Sequence, residues 1–98
     1  MADQNPRDRT SNESSSIAQE EIRNEDAVLS LLLDEHPTRM TLDEITLVLN
    51  GEPRLTDPAD AAEQAVYRLA SFGLIHRDGQ LLSPTRAALR FERLRADY

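Results

Sequence analysis

Several residue types are missing from this 98-residue chain, and their absence limits the kinds of protein it can be. Without cysteine it can form neither disulfide bonds nor thiolate metal sites, and we expect one small domain in the reducing cytoplasm. Aliphatic runs are no longer than three residues, as at 31–33, so no segment approaches a membrane span of about 20 apolar residues. The N-terminal residues are polar and lack an apolar core, so we expect no signal peptide.

Lysine is also absent, because all 11 basic residues are arginine. Codon usage in a GC-rich genome would explain this, and so would a need for bidentate contacts to phosphate or carboxylate groups, which arginine makes and lysine does not. The chain has 18 acidic residues and a net charge of −7. That balance opposes nucleic-acid binding, for which a basic surplus is expected.

The N-terminal segment, residues 1–15, contains almost no apolar side chains and is predicted to be disordered, with a single domain over 16–98. Ser16 and Gln19 form a capping-box pattern at the start of a first helix, and Asn24 offers a second start. Apolar residues then recur at roughly helical spacing. Pro37 predicts that this helix ends near Glu35.

Two further helices are predicted from their end signals. Thr41 and Glu44 form a second capping box, and residues 50–51 (Asn-Gly) predict a left-handed cap at the other end of that helix. Asp57 and Pro58 supply an N-cap and a first helical residue for the third helix, which Gly73 ends. The apolar face of the third helix is predicted to contain Ala62, Ala65, Val66, Leu69 and Phe72.

A tight hairpin and a last helix follow. Residues 78–79 (Asp-Gly) lie between two short apolar stretches and predict a two-stranded β-hairpin. Residues 83–84 (Ser-Pro) predict the cap of a fourth helix. Its apolar face is predicted to contain Ala87, Ala88, Phe91 and Leu94.

This order of elements resembles the winged helix-turn-helix superfamily of bacterial transcription regulators. The resemblance covers about residues 24–94 and is carried by segments 41–45 (TLDEI), 68–75 (RLASFGLI) and 82–89 (LSPTRAAL). It implies a mainly α fold with a two-stranded β wing. It also implies a small DNA-binding transcription regulator whose third helix enters the major groove.

The resemblance also assigns candidate site residues. The solvent-facing side of the third helix would contain Asp60, Glu63, Gln64, Tyr67, Arg68 and Ser71. Of these, the predicted base or partner contacts are Gln64, Tyr67 and Arg68. The predicted phosphate contacts are Arg77 at the wing and Arg86, Arg90 and Arg93 on one face of the last helix.

Two hypotheses for function remain open. The groove-entering helix begins with Asp57, Asp60 and Glu63, which repel phosphates, and the loop before it is longer than usual. The alternative to DNA binding is therefore a protein-interaction module that uses the acidic third helix and Tyr67. For the arginines of the last helix, a solvated face that favours the helix dipole and pairs locally with Glu92 and Asp97 ranks ahead of a phosphate-binding surface. Tyr67 could simply lie across its neighbours. The resemblance places DNA binding slightly ahead.

Other candidates are weaker. The first helix is apolar over more than one stripe, at Val28, Leu29, Leu31, Leu32 and Leu33, which suggests a homodimer through this helix. The two histidines, His36 and His76, are far apart in sequence, and no metal site can be assembled around them by spacing. There is no glycine-rich phosphate loop or nucleophile elbow, so we predict no enzyme and no cofactor.

Overall fold

The computed structural model describes residues 6–51 and 55–96, with the side chains of the first helix from residue 16 onward. This part of the chain contains four helices and a small antiparallel sheet, so the expectation of a mainly helical fold is confirmed. The elements in chain order are α1 (Pro6–Glu35), β1 (Met40–Thr41), α2 (Leu42–Leu49), α3 (Pro58–Ser71), β2 (Ile75–Asp78), β3 (Leu81–Pro84) and α4 (Arg86–Ala96).

Helix α1 begins ten residues earlier than predicted, at Pro6 instead of Ser16. The proposed starts at Ser16 and Asn24 are therefore wrong, and residues 6–15, for which disorder was expected, are helical. Proline is tolerated at the first helical position, and residues 7–35 contain neither proline nor glycine, so no helix-breaking residue interrupts α1. Residues 1–5 lie outside the described residues. The predicted end at Glu35 is confirmed.

Helix α2 has the predicted N-terminus but a different C-terminus. The Thr41 hydroxyl oxygen accepts from the Glu44 N–H at 3.2 Å, and the Glu44 carboxylate accepts from the Thr41 N–H at 2.8 Å. The left-handed cap expected at Asn50 and Gly51 is wrong, because Asn50 has φ −67° and Gly51 has no positive φ. Both N–H groups instead bond carbonyls of the last turn, at Thr46 and Val48, which continues the right-handed path.

Helix α3 begins and ends as predicted. Asp57 accepts from the Ala59 N–H at 2.8 Å, Pro58 is the first helical residue, and Gly73 takes φ +78°. Leu74 N–H donates to the Leu69 carbonyl and Gly73 N–H to the Ala70 carbonyl, which is the Schellman pattern.

The predicted core position of Phe72 is wrong, because this side chain is 70 % exposed. Phe72 follows the last helical residue, and the chain turns back immediately after it. Leu74, placed by that turn, packs against the core at this end of α3 instead.

The sheet has three strands in the order β1-β3-β2, where two were predicted. In the hairpin, Asp78 pairs with Leu81, so the loop is Gly79 and Gln80, one residue later than expected, and Gly79 takes φ +63°. Strand β1 pairs with the edge of β3 that faces away from β2, with Met40 opposite Leu82. A two-residue strand has no alternation to recognise in a sequence, which is why it was missed.

Helix α4 begins later than predicted. Pro84 lies in β3, and the cap is Thr85, whose hydroxyl oxygen accepts from the Ala88 N–H at 3.2 Å. Within the predicted apolar face only Ala88 is buried, whereas Ala87, Phe91 and Leu94 are exposed.

The core lies where α1, α2, α3 and the sheet meet. It is built from small and branched aliphatic side chains, and the alanines of α3 allow its backbone to approach α1 and α2 closely. The largest fully buried side chains are Leu32, Ile45, Leu49, Leu82, Val28 and Val66.

Candidate interaction surfaces

The outward side of α3 is acidic with one large aromatic residue. Because α3 buries its alanine-rich stripe against α1 and α2, the opposite side faces solvent. Tyr67 is 73 % exposed. We call the exposed residues Asp60, Glu63, Gln64 and Tyr67 the acidic face. Their predicted solvent-facing positions are therefore correct.

Arg68, a predicted base contact, is engaged within the protein. Its guanidinium lies 2.6 Å from the Glu21 carboxylate and 3.7 Å from the Glu25 carboxylate, both on α1. Its side chain is half-buried between the two helices. The sequence contains no local signal for these partners, since the Arg68–Glu21 bond spans 47 residues. Arg68 therefore joins α3 to α1 and does not project from the acidic face.

Arg77, the predicted wing contact, is also paired. Its guanidinium donates to the Glu63 carboxylate on α3 at 2.8 Å and, through Nε, to the Gly79 carbonyl at 3.2 Å. The wing arginine is thus bonded to the acidic face and to its own hairpin loop. The described contacts of Arg77 are with Glu63 and Gly79, and the phosphate surface built from wing and last helix stays a prediction.

The other predicted phosphate contacts lie together on α4. We call Arg86, Arg90 and Arg93 the arginine stripe. All three are exposed and line a shallow groove that also includes His36 from the chain after α1, Leu89 and Glu92. Among the residues that the structure describes, none of the three forms an ion pair. Within the described part of the chain, the guanidinium groups of the stripe thus have no carboxylate partner, in contrast to Arg68 and Arg77.

The acidic face and the arginine stripe belong to different packing layers. Helix α3 packs against α1, α2 and β2, whereas α4 packs against α1 and β3. The helices that hold the predicted base contacts and the predicted α4 phosphate contacts therefore share α1 as a packing partner.

Helix α2 contributes exposed residues that the sequence did not single out. It buries Ile45 and Leu49, which leaves Leu47 72 % exposed and Val48 50 % exposed. Asp43 lies four residues before Leu47, so acidic and apolar side chains share the outward side of this helix. That spacing is the signal that could have identified the surface.

A buried carboxylate holds the segment that leads into α3. Glu20 is 4 % exposed, and its two carboxylate oxygens accept from the Leu55 N–H at 3.0 and 3.1 Å. The bond spans 35 residues and could not be read from the sequence. It ties the long connection between α2 and α3 to α1, and so positions the start of the acidic face.

Part of the apolar surface of α1 is buried within the chain. Val28 and Leu32 are in the core, and Leu29 and Leu31 pack against it. Leu33 lines a cleft of about 270 Å³ between α1 and α4, which is at the small end for ligand sites. The homodimer through α1 stays a hypothesis.

Comparison with known proteins gives no assignment. No family model, curated protein or solved structure matches this chain. The resemblance to winged helix-turn-helix proteins therefore stays a prediction. Within residues 6–51 and 55–96, no helix is both long and apolar enough to cross a membrane. The same residues contain no cluster of three potential metal ligands.

Proposed function

We propose that the chain is a winged helix-turn-helix domain whose acidic face binds a protein partner in place of DNA. The fold proposal is supported by the succession of α2 and α3 and by the β2–β3 hairpin in the position of a wing. The β1 strand on the other side of β3 is compatible with this architecture.

The observation that carries the proposal is the pairing of Arg68 and Arg77. A helix that enters the major groove lies between two phosphate backbones, and free cations there supply much of the affinity. Arg68 on α3 and Arg77 at the wing are bonded to carboxylates of Glu21, Glu25 and Glu63. Releasing either arginine to a phosphate would leave a carboxylate unpaired beside the DNA. The α3 surface therefore repels a polyanion and attracts a cationic partner.

Tyr67 supplies the apolar part of such an interface. An exposed tyrosine combines a large contact area with a hydroxyl that can bond at the rim, and aromatic residues are enriched among binding hot spots. The expected partner surface has a pocket for the Tyr67 ring, flanked by lysine or arginine side chains that pair with Asp60 and Glu63.

The test is affinity capture from an extract of the source organism, with the wild-type chain compared with three variants. Tyr67→Ala removes the ring, and the double variant Asp60→Asn/Glu63→Gln removes two charges. Asp34→Asn is the control, because this exposed carboxylate lies on α1 away from the acidic face. We expect a partner that the first two variants lose and the control retains. A partner that all variants retain would contradict the proposal.

A second candidate function is DNA binding, and the unpaired arginine stripe favours it. In this arrangement α4 would contact phosphates. The measurement is fluorescence anisotropy of a labelled mixed-sequence duplex at about 50 mM and about 200 mM salt, since counterion release weakens phosphate binding steeply over this range. Binding that is lost with salt and with Arg86→Ala/Arg90→Ala/Arg93→Ala would support it. No binding at the lower salt concentration would eliminate it.

A further inference from the structure

The acidic face and the arginine stripe have matching spacing as well as opposite charge. Along α3, the rise from Asp60 to Glu63 is about 4.5 Å, and the rise from Glu63 to Tyr67 is about 6 Å. The arginine stripe, followed backwards along α4 from Arg93 to Arg86, repeats these two steps in the same order. Every residue of both sets is exposed. Two helices docked antiparallel would therefore bring three pairs into register.

We propose that the protein partner of the acidic face is a second copy of this chain, with α3 of one copy docked antiparallel on α4 of the next. This inference rests on the proposed function, since it uses the same α3 surface. The three contacts are Asp60 with Arg93, Glu63 with Arg90 and Tyr67 with Arg86 of the second copy.

Each of these contacts is chemically sound. Arginine forms bidentate hydrogen bonds with carboxylates, and a carboxylate has acceptor positions for more than one donor. Glu63 can therefore keep its 2.8 Å bond to Arg77 while its side chain, 52 % exposed, accepts from the second copy. The guanidinium of Arg86 placed over the Tyr67 ring makes a cation–π contact. Glu92 is the one carboxylate that lines the arginine groove, against three guanidinium groups.

The contact joins two different surfaces, the acidic face of one copy and the arginine stripe of the other. After one such contact, one copy keeps an unused arginine stripe and the other an unused acidic face. The assembly therefore closes, as a reciprocal two-fold dimer or a larger ring, or it grows. Because the pairs are exposed, salt screens them strongly. We therefore expect association that depends on both concentration and ionic strength.

The test is sedimentation equilibrium of the full chain from about 10 µM to about 1 mM protein, at about 50 mM and about 500 mM NaCl. We expect the average mass to rise above the 11.0 kDa monomer at the lower salt concentration and to return to it at the higher. A mass that stays monomeric throughout overturns the inference. In that case, a foreign partner captured by the acidic face would still leave the proposed function standing.

Two variants then identify the surfaces. The face variant is Asp60→Asn/Glu63→Gln/Tyr67→Ala, and the stripe variant is Arg86→Ala/Arg90→Ala/Arg93→Ala. Each alone is expected to be monomeric. Mixed together, they retain one intact interface between an acidic face and an arginine stripe, so a 1:1 complex that grows no further is expected. Circular dichroism melting verifies that both variants are folded.

A control variant on another side of α4 completes the test. Arg95→Ala removes a guanidinium that lies over the Phe91 ring, 5.8 Å from its centroid, on another side of α4. It should leave association unchanged, whereas Arg90→Ala should weaken it at least several-fold. Association that persists in both the face and the stripe variants, as in a dimer through α1, overturns the inference.

Discussion

Replacing Leu69 by alanine tests the packing of α3 most directly. Leu69 is 3 % exposed and belongs to the core shared by α1, α2 and α3. Truncation of a buried leucine costs about 2–5 kcal/mol, through lost apolar burial and the cavity left behind. A domain of this size has a total stability of about 5–15 kcal/mol. The substitution should therefore remove a large share of the free energy of unfolding.

The assay is urea denaturation followed by circular dichroism, with the midpoint and slope fitted separately. For a domain of this size each kcal/mol lowers the melting temperature by about 4–8 °C, so the effect will also be evident in a thermal melt. Phe72→Ala is the matched control. The sequence pattern predicts a core position for Phe72, but the side chain is 70 % exposed. We expect a change within about 0.5 kcal/mol. A large loss for Phe72→Ala, or a loss below about 1 kcal/mol for Leu69→Ala, would refute the described orientation of α3.

Two further substitutions probe the ends and the attachment of α3. Gly73 has φ +78°, and a Cβ added there would meet no neighbouring atom. Gly73→Ala should therefore lower the free energy of unfolding by about 1–2 kcal/mol through backbone strain alone, as measured by urea denaturation. An unchanged midpoint would argue against the left-handed turn. The Arg68–Glu21 pair is about one-third exposed, so a double-mutant cycle with alanine should give a coupling of only about 0.2–1 kcal/mol, reduced by salt. Zero coupling at low salt would mean that Arg68 is free for an external ligand.

The features predicted correctly depend on residues close together in sequence. The Thr41–Glu44 capping box acts over three residues, the Asp57 cap over two, and the Gly73 turn over five. Each is determined by local hydrogen-bonding chemistry that does not depend on the rest of the fold. The same is true of the end of α1 before Pro37.

The features that were missed depend on distant contacts. Strand β1 exists because β3 pairs with it, and Glu20 reaches Leu55 across 35 residues. The extra length of α1 is a further case, because a polar segment continues a helix whose packed half is already formed. For β1 and Glu20 the deciding partner is too distant in the sequence for periodicity or capping patterns to reveal it.

The arginines show why the functional surface could not be derived from charge counts. In the sequence Arg68, Arg77 and Arg90 are equivalent cations within an acidic chain. In the structure the first two are bonded to carboxylates, and only the third belongs to a set without ion pairs among the described residues. A net charge of −7 therefore conceals an exposed positive stripe. Within about a Debye length of the surface the net negative charge repels anions, but at contact distance the stripe attracts them.

The acidic face and the arginine stripe of one chain favour attraction between copies, although each copy has a negative net charge. Two chains of like net charge repel at long range, and that repulsion is reduced by salt. The antiparallel contact between the acidic face and the arginine stripe acts only at short range and is weakened by salt as well. The pairs meet at contact distance, so the attraction is expected to exceed the repulsion at low salt and to weaken as salt is added. An average mass that falls from about 50 mM to about 500 mM NaCl would be the signature of this contact. A mass that rises continuously with salt would instead indicate apolar contact, such as pairing through α1.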